Sequence, residues 1–302
     1  MKLFTSRLLT VLAAMVLLIA ACGGGESEPQ ESGGDTPAED VSQDTGDTGD
    51  TREPDEAMEG ELNIAGSTTV QPLAEVLGAS FESLHPDVMI YVQGGGSSVG
   101  VRSAADQSVE IGMASREVKE SELEENPELV VHTIARDGIA IVAEPGCTVE
   151  SLTREQVRQI FAGEITNWSE VGGGDMVITV VAREEGSGTR AAFEDMVMDE
   201  SLITENAILQ PSNGAVRTTI SVTPGAIGFL SFGYLDDTTK PVAIDGTLPT
   251  EENASSGAYS VVRPLNMVTY GDPQGIAKAF LDFVISEDGQ AIVAEEGYLK
   301  VN

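Results

Sequence analysis

The stretch VVAREEGSGTRAAFEDMV, residues 180–197, decides how this chain is read. Its apolar start predicts a strand, its Gly-Ser-Gly-Thr centre a tight turn, and its close the opening of a helix. Two arginines, Arg183 and Arg190, flank that turn in a chain whose formal net charge is −34. The first turn of a helix leaves N–H groups without intrahelical partners, and the aligned peptide dipoles add partial positive charge there. Glycine clears the approach to the backbone, while serine and threonine add hydroxyl donors. Such an end can hold an oxyanion in a protein that is acidic overall. Arg183 would bring the charge and a planar pair of donors for two oxygens.

Two further stretches repeat the pattern: AGSTTVQPLAEVLGASF at 65–81 and QGGGSSVGVRSAA at 93–105. One alone would be ordinary capping, with Ser or Thr ahead of the first helical turn. Three in one chain, with Arg183 four residues before Ser187, favour an anion site built from converging turns. Around them, short apolar runs (ELNIAG, VMIYVQG, VEIGMAS, IAIVAEPG, VITVVAR) alternate with helical patterns. That alternation predicts an α/β fold with parallel sheets, and residues 62–302 suffice for one large domain or two lobes.

Other chemistries lack their parts. No Gly-rich run is followed by the lysine of a phosphate-cradling P-loop. Gly186-Ser187-Gly188 lacks the spacing of a nucleophile elbow, and a serine hydrolase would need a histidine base. The two histidines, His85 and His132, stand in ordinary contexts, and with two cysteines in all they argue against a zinc or copper site. The acidic balance disfavours nucleic acid and anionic membrane surfaces as partners. No cofactor is implied.

The chain opens MKLFTSRLLTVLAAMVLLIAACGGG, a basic start, an apolar run and small residues up to Cys22. This reads as an export signal, residues 1–22. Residues 23–61 hold 14 acidic side chains, one basic one and almost no large apolar group. A stretch of that composition cannot bury enough apolar surface to offset the entropy of ordering, so it is expected to be a disordered acidic linker. The run LIAAC followed by glycine resembles a bacterial lipoprotein processing site, which would leave Cys22 as the lipidated first residue, palmitate among its acyl chains. Cys147 would then be a lone thiol, expected as a small buried hydrophobe.

Eight stretches, in order, carry a family resemblance: GSTTVQPLAEVL, QGGGSSVGV, IGMASREVK, RDGIAIV, QIFAGEITNWSEVGG, AREEGSGTRAAF, SNGAVRTTISVTPGAIGFLSFGYL and FVISEDGQAIVAEEGYLKV. Together they resemble the extracytoplasmic phosphate-binding protein of the high-affinity phosphate ABC importer, over residues 62–302. The resemblance implies a two-lobed periplasmic-binding-protein fold of type II, with phosphate clamped between the lobes. Its two crossings are expected near Ala143 and Gly257, giving lobe 1 as 62–143 plus 257–302 and lobe 2 as 144–256. It further implies a monomer, not an enzyme, held outside the cytoplasmic membrane by its lipid and passing phosphate to ABC permease subunits. Carried over by position, the phosphate donors would be Thr68, Thr69, Ser97, Arg183, Ser187, Gly188 and Thr189, with Ser67 and Ser98 as adjacent alternatives. Arg190 is expected at the surface or between lobes, and Trp168 as packing for a loop of lobe 2.

One departure stands out. Many members of the family place an aspartate at the end of a GASD-like stretch, where it accepts the phosphate's own proton; here the stretch reads GMASR and ends on Arg116. An ionised carboxylate accepts hydrogen bonds and cannot donate them, so it favours protonated phosphate and repels sulfate. Its loss either relaxes that discrimination or moves it to another acid, for which Asp137 in ARDGIAIV is the candidate. Asp137 either takes that role or caps a turn before Gly138, and Arg116 is either a further anion donor or the partner of Glu117 or Glu120. The implied alternatives to phosphate delivery are a binder of sulfate or molybdate, a phosphate sensor, and, more remotely, a phosphate-ester hydrolase.

Overall fold

The computed structural model of the chain describes residues 58–301. The expected export signal, Cys22 and the linker up to residue 57 lie outside the described residues, and the last two linker residues, Gly60 and Glu61, already belong to the first strand. Among the described residues, no helix is long and apolar enough to cross a membrane.

The chain starts as a βαβαβ run: β1 (Gly60–Gly66), α1 (Gln71–Leu84), β2 (Val88–Gly94), α2 (Ser97–Ala105) and β3 (Ile111–Ala114). The short α3 (Glu120–Glu125) leads into the long β4 (Leu129–Ala143). Then come β5 (Ser151–Leu152), α4 (Arg154–Ala162), β6 (Thr179–Arg183), α5 (Gly188–Phe193), β7 (Ile208–Gln210), α6 (Asn213–Val222), β8 (Ala226–Ser231), β9 (Lys240–Ile244) and α7 (Glu251–Ser255). The return is made by β10 (Val262–Tyr270), and α8 (Gly275–Ile285) and α9 (Glu287–Glu295) close the chain. Local signals agree with these bounds: Thr153 and Gln156 form a capping box at the start of α4, and Gly163 ends it in the left-handed region at φ +80.

The sheet runs β2-β1-β3-β10-β4-β8-β6-β7. The strands joined by helices are parallel, as expected: β1 with β2 and β3, and β6 with β7 and β8. The sheet also has an antiparallel share that the alternation does not indicate: β10 lies antiparallel to β3 and β4, and β4 lies antiparallel to β8 and β9. β4 carries the chain from one core to the other and β10 carries it back beside it, in the opposite direction.

Among the described residues two large hydrophobic cores lie along this sheet, with a smaller cluster of Val101, Ala104, Ala114, Val118, Leu129 and Val268 beside them. One gathers Leu62, Ile64, Leu73, Leu77, Phe81, Ile111, Met113, Leu265 and Phe280; the other gathers Ile139 to Ala143, Phe161, Phe193, Val216, Phe229 and Leu230. In the second, the rings of Phe193 and Phe229 stack with centroids 4.3 Å apart. Trp168 packs into the same core and its indole N–H donates to Gly225 O at 3.0 Å. Cys147 is half-buried rather than buried, because it sits at the edge of that core, and burial raises its thiol pKa.

The cores change hands inside β4, between Ala135 and Ile139, and again at β10, between Val262 and Leu265. β4 runs unbroken from pairing with β10 at residues 129–138 to pairing with β8 at 139–143. The C-terminal piece is tied down as a packing helix followed by an extended end: Gln290 donates to Ile134 O at 2.9 Å, and Arg136 and Leu299 form an antiparallel bridge.

Candidate functional site

The three glycine-serine turns meet. The first follows β1, where Gly66 stands at φ +135 and a Cβ would lie 2.4 Å from Met113 O and 2.6 Å from the Cα of Gly100, so only glycine passes. Next to it, Ser67 Oγ accepts from the amides of Thr69 at 3.2 Å and Val70 at 3.4 Å. Ser67 therefore holds the turn, and the hydroxyls of Thr68 and Thr69 are turned outward from it.

The second turn opens α2. Ser97 Oγ accepts from the Ser115 amide at 3.0 Å and shares a hydrogen with Ser115 Oγ at 3.4 Å. The Ser98 amide donates to Gly186 O at 3.2 Å, which docks this turn on the third. In the third, Ser187 Oγ caps α5 by accepting from the Arg190 amide at 3.2 Å. Gly188 presses so close that a Cβ there would lie 2.1 Å from Ser97 Oγ and 2.7 Å from Ser115 Oγ. Thr189 Oγ1 lies 3.0 Å from Thr69 Oγ1.

Arg183 closes the group from the end of β6. Its Nε donates to Gln210 O at 3.2 Å, and its Nη2 donates to Pro211 O at 2.9 Å and to Thr68 Oγ1 at 3.1 Å. Its Nη1 is buried and has no partner. Burial, and then the neighbouring Arg263, pull this guanidinium down to about 10. All its acceptors are neutral oxygens. A buried cation without a counter-charge costs several kcal/mol, so the place next to Nη1 suits an anion.

The sequence reading missed four groups around these turns. Arg263, from β10, is 3% exposed and bonds Asp137 Oδ2 through Nη2 at 2.7 Å and Nε at 3.1 Å. It also reaches Ser115 O at 2.9 Å and Thr69 Oγ1 at 3.3 Å. Asn213, the first residue of α6, donates to Thr69 Oγ1 at 2.8 Å. Two tyrosines hold the first turn by its backbone: Tyr234 OH donates to Thr68 O at 2.7 Å and Tyr298 OH to Thr69 O at 3.0 Å. Thr69 Oγ1 thus accepts from Asn213 and Arg263, which leaves its one hydrogen for Thr189 Oγ1 and frees the Thr189 hydrogen for a further acceptor. Arg263 is the one charge in VVRPLNMV, and Asp137 follows Arg136 at the head of RDGIAIV; neither pattern by itself assigns a role.

Two expected residues stand differently. Asp137 caps no turn before Gly138; it is fully buried inside β4, where Oδ2 takes Arg263 and Oδ1 accepts from Ser231 Oγ at 3.0 Å and the Phe232 amide at 3.1 Å. Burial pushes this carboxyl up and the Arg263 guanidinium down, while each draws the other toward its charged form. Arg116 pairs with neither Glu117 nor Glu120 by its carboxylate. Its fork goes to Glu122, Nη2 to Oε1 at 2.7 Å and Nη1 to Oε2 at 2.8 Å, with one contact to Ser98 Oγ at 3.3 Å. Arg190 pairs with Glu194 at 2.8 Å and donates to Arg183 O at 3.1 Å. The structure thus brings together Thr68, Thr69, Ser97, Arg183, Ser187, Gly188 and Thr189, sets Ser67, Ser98 and Asp137 beside them in supporting contacts, and engages Arg116 elsewhere.

Comparison with known proteins gives this geometry its relatives. A family model described as a PBP superfamily domain matches residues 38–288. The phosphate-binding protein PstS of Bacillus subtilis is 36% identical over 297 residues, covering 97% of this chain and 93% of that one. The PstS of Borreliella burgdorferi is 29% identical and covers 80% of this chain and 90% of its own. Among solved structures, a phosphate ABC transporter substrate-binding protein from Clostridium perfringens, with bound phosphate, is similar at TM-score 0.77 and 39% identity. It covers 80% of this chain and all of that one. An ABC-type phosphate transport receptor from Vibrio cholerae follows at TM-score 0.67 and 35% identity, covering 79% of this chain and 99% of that one. With a relative this similar along nearly its whole length, the chain belongs to the PstS family of phosphate-binding proteins, within the PBP superfamily.

Proposed function

We propose that the chain binds inorganic phosphate outside the cytoplasmic membrane and delivers it to the permease of an ABC importer. The observation that carries this reading is the buried Nη1 of Arg183, a cationic donor without a partner among hydroxyls from three turns. Relatives that cover the chain end to end are named for phosphate binding, and one solved relative holds phosphate. The ligand donors are Arg183, the hydroxyls of Thr68, Ser97, Ser187 and Thr189, and the amides of Gly188 and Thr189 at the start of α5. Ser67, Ser98 and Thr69 hold these groups in place.

The reading takes the two cores as two lobes, and the change of pairing and of core near residues 138 and 262 supports crossings in β4 and β10. Closure about those strands would shut water out and strengthen each bond to the anion. The delivering form is a monomer, exported by residues 1–22 and held by a lipid on Cys22 through the acidic linker. The binding chemistry involves no bond making in the ligand, so the chain acts as a carrier and not as an enzyme.

A calorimetric titration of the full chain with phosphate tests this reading. One phosphate per chain is expected at micromolar affinity or tighter, about 8 kcal/mol. Arg183→Ala is expected to lose at least about 30-fold, the cost of about 2 kcal/mol or more for removing one partner of a buried charged pair. Equal affinity in the parent and in Arg183→Ala would refute the reading.

A further inference from the structure

The hydrogen bonds around the site leave it rich in donors and without a carboxylate that is free to accept. Asp137 takes four: Arg263 Nε and Nη2 on one oxygen, Ser231 Oγ and the Phe232 amide on the other. A carboxylate offers about four lone-pair positions, so none of Asp137 is left. Arg263 is equally committed, its five hydrogens going to Asp137 twice, to Ser115 O and Oγ, and to Thr69 Oγ1. Glu122 turns both oxygens to Arg116 and also accepts from the Lys119 amide at 2.9 Å. Glu184 and Glu185 are exposed, and Glu185 faces Arg190. The side-chain carbonyl of Asn213 is also engaged, its Oδ1 accepting from the Ser231 amide at 3.4 Å.

What remains for a ligand is the Nη1 pair of Arg183, the helix-start amides and the hydroxyls. A hydroxyl rotates: it donates to an ionised oxygen or accepts from a protonated one, and so demands neither. A fixed carboxylate would demand a proton on the ligand. A site that strands a buried polar group against the wrong partner rejects it by about 10⁴-fold or more, and no such group stands here. We propose that the site takes tetrahedral dianions as a class, whether or not they carry a proton, so that sulfate competes with hydrogen phosphate. Asp137 is a positioning residue that acts through Arg263 and Thr69. This rests on the phosphate reading for the location of the ligand, and adds to it which ligands enter.

The test is calorimetry on the full chain, with sodium sulfate titrated alone and phosphate then titrated in its presence. Sulfate is expected to bind one per chain, within about 100-fold of phosphate, and to shift the phosphate isotherm in proportion to its concentration. Phosphate binding that ignores a 1,000-fold excess of sulfate, about 4 kcal/mol of discrimination, would overturn the proposal and leave the phosphate reading intact. Sulfate binding without phosphate binding would overturn both, as would binding of neither.

Asp137→Asn gives a second readout, since it keeps the shape and removes the charge. Both affinities are expected to fall together, with their ratio within about 3-fold of the parent, because the effect passes through Arg263. A ratio moving about 10-fold or more toward sulfate, about 1.4 kcal/mol, would mean that Asp137 meets the ligand's proton, and would overturn the proposal. Should that variant fail to fold, sulfate competition in the parent decides alone.

Discussion

Arg183 does two jobs that one residue type can combine. Its Nε and Nη2 are spent on Gln210 O, Pro211 O and Thr68 Oγ1, which fix the plane of the guanidinium, and its Nη1 stays open. A lysine would keep the charge and lose the fork. Arg183→Lys is therefore expected to bind phosphate about 10-fold more weakly than the parent, between the parent and Arg183→Ala, as one decade corresponds to about 1.4 kcal/mol. Calorimetry checks the order of the three, and a lysine variant equal to the parent would show that charge alone suffices. Arg183 was legible in the sequence because it precedes a Gly-Ser-Gly-Thr turn. Arg263 and Asn213 were not, since each is a single polar residue inside an ordinary strand or helix start, and their roles arise only when β10 and α6 are folded against the first turn.

At the scale of elements, the three strand-turn-helix ends were legible, because glycine and serine ahead of a helical pattern carry a local mechanism. Their mutual contact was not legible, since it depends on where β4 and β10 lead the chain. The contact is tight where α2 and α5 begin. Gly188 needs no unusual backbone angle, yet a Cβ would fall 2.1 Å from Ser97 Oγ. Gly188→Ala is expected to keep the two cores and to hold the turns apart. Phosphate affinity should drop by about 100-fold or more, about 3 kcal/mol, while the urea midpoint without phosphate changes by under about 1 kcal/mol equivalent. Unchanged affinity in this variant would mean that the observed approach of the two turns is not part of the bound state.

Over the whole molecule, the alternation of strands and helices was enough to indicate an α/β fold, and the antiparallel share of the sheet was not. Strand direction follows from the path of the chain, and β4 and β10 have the same apolar runs whichever way they pair. The same two strands join the cores, so the position of the crossings emerged from pairing and not from any break in composition. The charge of −34 and the anion site are compatible because, among the described residues, no acidic side chain except Asp137 is buried, whereas Arg183, Ser97, Ser187 and Thr189 are. The central claim is a place for the anion, and a crystal structure of the chain grown with phosphate tests it most directly. Phosphate oxygens are expected within hydrogen-bond reach of Arg183 Nη1, of the Thr68 and Thr189 hydroxyls and of the Gly188 amide. An ordered phosphate elsewhere, with Arg183 Nη1 still unpaired, would contradict the account.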